Sequence, residues 1–198
     1  PPAAALRLLS YNSVNNFDRN RSAIFDPERQ PSYRRIFAAV SPDVIAFQEV
    51  YSESAAETEA VAESELGLSD AWTWAKHGAD LVLGSRFPIL DSEPIPGYES
   101  NRSAAFLLDA DAALGSPLLV INMHPPCCNF GPDEDDPSRN AQRQQVVDNV
   151  VAFLRDLKQG EGPFALPENT PIVVMGDMNF VGEAQQPRTL RTGQIVNT

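Results

Sequence analysis

The chain has 198 residues, 42% of them hydrophobic and 21% charged, enough apolar content for one sizeable core and a charge density typical of a folded globular domain. No apolar stretch approaches the ~20 residues of a membrane span, which excludes an integral membrane helix. With 27 acidic against 15 basic residues the net charge is −12, a balance that repels polyanions at long range and disfavours non-specific duplex DNA binding, while permitting a local cationic or metal-filled cleft.

Residues 1–5, Pro-Pro-Ala-Ala-Ala, lack the basic start and long apolar centre of a signal peptide. The expectation is a soluble protein, cytoplasmic or secreted after removal of a leader. The only cysteines, Cys127 and Cys128, are neighbours, so they cannot staple distant segments, and a bridge between them closes a strained ring.

Residues 6–11, mostly apolar, read as a first strand ending at Asn12. Ser32 is a candidate N-cap for a helix whose apolar positions Tyr33, Ile36, Phe37 and Val40 fall at i, i+3, i+4 and i+7. Residues 44–47 form a second buried strand that delivers Gln48 and Glu49 at its carboxyl end. The Ala- and Glu-rich stretch 54–66 reads as a solvated helix stopped by Gly67. Short strands are expected at 71–74, 80–85, 89–92 and 103–108, punctuated by Gly78, Pro88, Pro94, Pro96 and Gly97. Residues 118–121 form a further buried strand leading into Asn122-Met123-His124. Ser138 then caps a long helix carrying Val146, Val150, Phe153, Leu154 and Leu157, residues 159–170 are a loop, and the β-branched run 172–175 is a last strand. There is no internal repeat. Strands interleaved with helices, with a hairpin-like middle, point to one α/β domain with mixed sheets.

Four of these apolar runs end in residues suited to metal or phosphate chemistry: Asn12, Glu49, His124, and the pair Asp177 and Asn179 behind Gly176. Residues two apart on an extended chain share a face, so Asp177 and Asn179 offer one anionic and one neutral oxygen ligand side by side. Each ending alone also has an ordinary reading as a turn or solvated rim residue; ligand sites of layered α/β folds gather at one sheet rim, where all four can converge.

The ordered series Ser10-Tyr11-Asn12, residues 42–49 (Pro-Asp-Val-Ile-Ala-Phe-Gln-Glu), Ser85-Arg86-Phe87-Pro88-Ile89, Asn122-Met123-His124 and Gly176-Asp177-Met178-Asn179 resembles the motif series of the endonuclease/exonuclease/phosphatase superfamily, the metal-dependent phosphoesterases with the deoxyribonuclease I fold. The resemblance implies a four-layer α/β/β/α sandwich of two mixed sheets. It implies that Glu49, assisted by Asn12, binds Mg²⁺ or Mn²⁺, that Asp177 orients or deprotonates the attacking water, that Asn179 holds a phosphate oxygen, and that His124 contacts the phosphate or protonates the leaving oxygen. Arg102 is a further candidate for clamping the phosphate, with a surface arginine as the alternative reading.

The family's centre also uses an Asp-His pair downstream of the Gly-Asp-x-Asn block, whereas here the only other histidine is His77, read as a loop residue. The expectation is a single domain over residues 1–198 amounting to roughly two-thirds to three-quarters of the full fold, with its C-terminal strands and Asp-His pair supplied by a second polypeptide. Cys127-Cys128 does not match structural zinc spacing and reads as plain loop packing; the run 133–136 (Asp-Glu-Asp-Asp) reads as a solvated acidic loop. Three functions are carried forward: a divalent-metal-dependent hydrolase of phosphodiesters or phosphomonoesters by in-line attack of water, a nuclease acting on DNA or RNA, which the net charge does not favour, and a catalytically inactive binding module on the same fold.

Overall fold

A computed structural model describes residues 6–16, 21–68, 71–97, 102–128, 137–180 and 184–196; the five N-terminal residues and the acidic run 133–136 lie outside the described residues. In chain order the elements are β1 (Leu8–Asn12), the short pair β2 (Asn15–Asn16) and β3 (Arg21–Ser22), a 3₁₀ turn (Ala23–Phe25), α1 (Gln30–Val40), β4 (Val44–Gln48), α2 (Ala55–Ser64), β5 (Thr73–His77), β6 (Leu81–Ser85), β7 (Ile89–Pro94), β8 (Ser103–Leu108), α3 (Asp111–Leu114), β9 (Leu118–Met123), α4 (Pro137–Gln159), β10 (Ile172–Gly176) and α5 (Gln185–Thr192).

Two four-stranded sheets, ordered β1-β4-β6-β5 and β10-β9-β8-β7, stack face to face. Each is mixed: β1 runs parallel to β4, and β10 parallel to β9, while the remaining pairs are antiparallel. Period-two alternation distributes the side chains between layers. In β4, Val44 and Ala46 enter the core between the sheets, whereas Ile45 and Phe47 face α1 and α2. In β9, Leu118 and Val120 face the opposite sheet, whereas Leu119, Ile121 and Met123 meet Val146, Val150 and Phe153 of α4. The result is the expected α/β/β/α sandwich.

Local chemistry sets the helix ends. Ser54 Oγ accepts from the Glu57 amide at 3.2 Å and the Glu57 carboxylate accepts from the Ser54 amide at 2.7 Å, a reciprocal capping box that starts α2. Helix α1 begins at Gln30 rather than after Ser32, because Pro31 is tolerated in a first turn where its missing N–H has no partner to lose. Strand β5 runs on to His77, which faces Leu81 across the hairpin, so His77 is a strand residue and not a loop residue. Helix α5 was invisible to apolar periodicity since the side chains it buries are Gln186 and Thr189, the latter accepting from Gln144 Nε2 of α4 at 3.0 Å. Among the described residues no helix is long and apolar enough to cross a membrane.

Candidate active site

The two parallel pairs point the same way, and their registers, Asn12 with Gln48 and Gly176 with Met123, bring four chain segments to one rim. Sharp backbone turns there aim the polar residues. Gly176 has φ +146°, and a Cβ at this position would lie 1.9 Å from the Met123 carbonyl oxygen, so only glycine allows β10 to leave the sheet this close to β9. Glu49 and Asn179 sit in the left-handed region at φ 66° and 49°. For glutamate that conformation costs about 1 kcal/mol or more, and it persists because neighbouring bonds hold it.

One amide draws two carboxylates together. Asn12 Nδ2 donates to Glu49 Oε1 at 2.9 Å and to Asp177 Oδ2 at 2.9 Å, residues far apart in the chain. The Asn12 Oδ1 accepts from the Val14 amide at 2.9 Å, which fixes which end of the side chain is nitrogen. Asn12 thus ties the carboxylates to each other in this arrangement, and its oxygen would reach a cation only by giving up the Val14 bond. Beside Asp177, His124 Nε2 lies 3.9 Å from Oδ2. The other histidine nitrogen, Nδ1, donates to Asp80 Oδ2 at 2.5 Å, and the same oxygen accepts from the Glu49 amide at 3.2 Å. A carboxylate can only accept, so the proton sits on Nδ1 and Nε2 is left facing the rim.

Asp80 is a functional candidate that the sequence did not single out. It is fully buried, and its second oxygen, Oδ1, has no hydrogen-bond partner among the described residues. Nothing in its spacing separates it from an ordinary residue opening a strand; its role appears only once β6 and β9 bring it to His124.

The remaining candidates attach to this core through backbone. Asn179 Nδ2 donates to the Pro125 carbonyl at 2.9 Å, and its amide points at Asp177 Oδ1 at 3.4 Å. The Arg102 carbonyl accepts from the His124 amide at 2.8 Å. Burial pushes the Tyr51 pKa up, with the Asp80 charge adding to it and Arg102 pulling the other way. Asn12, Glu49, His124, Asp177, Asn179 and Arg102 therefore share one rim. Behind them, fully buried Gln48 and Asn122 join the sheets: Gln48 Nε2 donates to Asn122 Oδ1 at 2.8 Å, and Asn122 Nδ2 donates to the Phe47 carbonyl at 2.9 Å.

Other singled-out residues stay apart from these bonds. His77 is bonded to Ser92 Oγ at 2.9 Å and tilted against Phe106. Cys127 and Cys128 are exposed rather than packed in their loop.

The donor set suits a hard cation. Among the described residues no group of three or more His, Cys, Asp or Glu side chains could hold a metal, so an ion here would rest on Glu49 and Asp177. That is how magnesium is usually bound, by one or two carboxylates with water and substrate oxygens completing an octahedron.

The Endonuclease/Exonuclease/phosphatase family model matches residues 25–197. No curated protein matches the sequence. Among solved structures, the fold is similar to a humanized D. rerio TDP2 (15% identity, 93% of this chain and 70% of that one, TM-score 0.59). It is likewise similar to a Bacteroides thetaiotaomicron mannosyl-6-phosphatase (13% identity, 94% and 70%, TM-score 0.60) and to the Neisseria 3' phosphatase NExo bound to product DNA hairpin (16% identity, 88% and 58%, TM-score 0.52). The chain spans 58% to 70% of the length of these structures. It belongs to the endonuclease/exonuclease/phosphatase family.

Proposed function

We propose that this family member is a divalent-metal-dependent phosphoesterase that cleaves a phosphodiester or phosphomonoester by in-line attack of water. The observation that carries the reading is the Asn12 amide holding Glu49 and Asp177 within one hydrogen bond of the same nitrogen, beside His124. Glu49 would hold Mg²⁺ or Mn²⁺ with Asp177 beside it and Asn12 tying the two carboxylates, and the ion would neutralise charge on the phosphoryl oxygens. Asp177 orients the attacking water or takes its proton. Asn179, held by the Pro125 carbonyl, and Arg102 bind phosphate oxygens. With Nε2 also protonated from solvent, His124 donates from it to a phosphate oxygen or gives that proton to the leaving oxygen, while Asp80 accepts from Nδ1, fixes the ring and supports the imidazolium. The solved structures named above include phosphatases acting on a sugar phosphate and on DNA ends, which supports phosphate esters as the substrate class and leaves nuclease activity as one arm of the test. Among the described residues strand β10 pairs only with β9, and its apolar Val173, Val174 and Met175 are only partly buried. That edge supports a complementing segment which adds strands and the family's Asp-His pair.

The test is a phosphoester panel of nucleic acids, nucleotides, sugar phosphates and lipid head groups, run with Mg²⁺, Mn²⁺ and chelator. Hydrolysis is expected to stop on chelation, and Glu49→Gln or Asp177→Asn is expected to lower kcat/KM by about a hundredfold or more. Calorimetric titration gives a second readout, with Mg²⁺ or Mn²⁺ binding weakened by Glu49→Gln. Hydrolysis insensitive to chelator and to both substitutions would return the chain to the binding-module reading.

A further inference from the structure

Cys127 and Cys128 sit in the loop that follows His124, and both are exposed. The loop is held from beneath by Arg143, itself 1% exposed, whose Nη1 donates to the Pro126 carbonyl at 3.1 Å and to the Cys128 carbonyl at 3.1 Å. With both flanking carbonyls gripped, Cys128 adopts a left-handed φ of 72°. Two thiols are thus presented together to solvent on a fixed backbone, and no bond of the site described above uses them. A direct disulfide between neighbours closes a small strained ring. A bridging soft atom adds one ring member and longer bonds, which relieves that strain, and thiolates are the ligands such atoms select.

We infer that Cys127 and Cys128 form a vicinal dithiol site for a thiophilic centre, of which a monosubstituted trivalent arsenical is the fitting class. The reaction with an arylarsine oxide balances without redox change: two As–S bonds form, both S–H bonds and the arsenic–oxygen bond break, and the two protons leave with the oxygen as water. The same loop carries the Pro125 carbonyl that accepts from Asn179 Nδ2 at 2.9 Å, so loading the pair should also disturb Asn179. This second effect rests on the proposed function; the adduct itself does not.

The test treats the purified protein, reduced beforehand, with phenylarsine oxide and reads intact mass and phosphoester hydrolysis. One adduct per chain is expected, stable to excess monothiol and removed by a dithiol. Cys127→Ser and Cys128→Ser should each retain basal hydrolysis and form only an adduct that monothiol strips. Absence of a wild-type adduct, or its loss to monothiol, would overturn the site. Hydrolysis should fall severalfold on loading and return with dithiol; a stable adduct with unchanged hydrolysis overturns the coupling to Asn179. A stable adduct on a protein that hydrolyses no phosphoester upholds the site and sinks only the enzymatic reading.

Discussion

Strands β4, β6, β8 and β9 are buried at every residue, whereas β1 and β10 are only partly buried throughout, although β10 is as apolar in sequence. The difference is one of position: among the described residues the inner strands have a partner on each side, and β1 and β10 are sheet edges that meet each other across the sandwich. The candidate site divides along the same line. Glu49, Asp80 and His124 follow or precede inner strands and are fastened by bonds to neighbouring backbone and to each other. Asn12, Asp177 and Asn179 hang from edge strands and are held by a few side-chain bonds across the rim. The inner half therefore couples chemistry to stability, while the outer half is free to exchange its bonds for those of an ion or phosphate.

That division is open to attack by substitution. His124→Ala should cost about 3 kcal/mol or more in denaturant unfolding, since it leaves the buried Asp80 carboxylate with only the Glu49 amide as a hydrogen-bond donor among the described residues. Asp177→Asn should leave unfolding almost unchanged while abolishing turnover, and equal stability losses in the two variants would erase the distinction. Gly176→Ala is the expected exception on the outer side. Its Cβ would collide with the Met123 carbonyl at a backbone angle that L-residues avoid, a loss on the order of 3 kcal/mol. A milder comparison sets Ile121→Ala against Val174→Ala, both facing α4 from adjacent strands. The inner truncation should cost about 3 kcal/mol and the outer one closer to 1 kcal/mol, because a half-exposed site loses less transfer energy and leaves no closed cavity.

How much of this was legible beforehand follows from the same geometry. Apolar runs announced β1, β4, β6, β8, β9 and β10 alike, because the sequence of a strand records which faces can be buried and not whether a neighbour is present. Polar endings such as Glu49, His124 and Asp177 were visible since they break an apolar run, and the ordered motif series tied them to one family. Asp80 was not, as it opens a strand and owes its importance to His124, which lies 44 positions away and reaches it only through β9. The Gln48–Asn122 link between the sheets was equally hidden, since each residue reads as a strand terminus until the two sheets are stacked. Helix α5 escaped for a different reason: it docks through Gln186 and Thr189, and hydrogen bonds leave no hydrophobic period.

The smallest effect probes the far edge of the first sheet. His77 ends β5, bonded to Ser92 Oγ and tilted against Phe106, and burial pushes its pKa below the usual histidine value despite the opposing charge of Glu93. A lowered folded value means that the unfolded chain binds more protons in mildly acidic solution, so stability rises with pH there. The contribution is complete above the unfolded histidine value of about 6.5 and is lost as pH falls through the lower folded value. Thermal unfolding followed from about pH 7.5 down to about pH 5.5 should show Tm falling, and His77→Gln, which keeps a polar partner for Ser92 without titrating, should flatten that slope. An unchanged slope would mean that β5 exposes its histidine as freely in the folded protein as in the unfolded chain. The open strands would then include β5 as well as β1 and β10, and the inner strands alone would carry the sandwich.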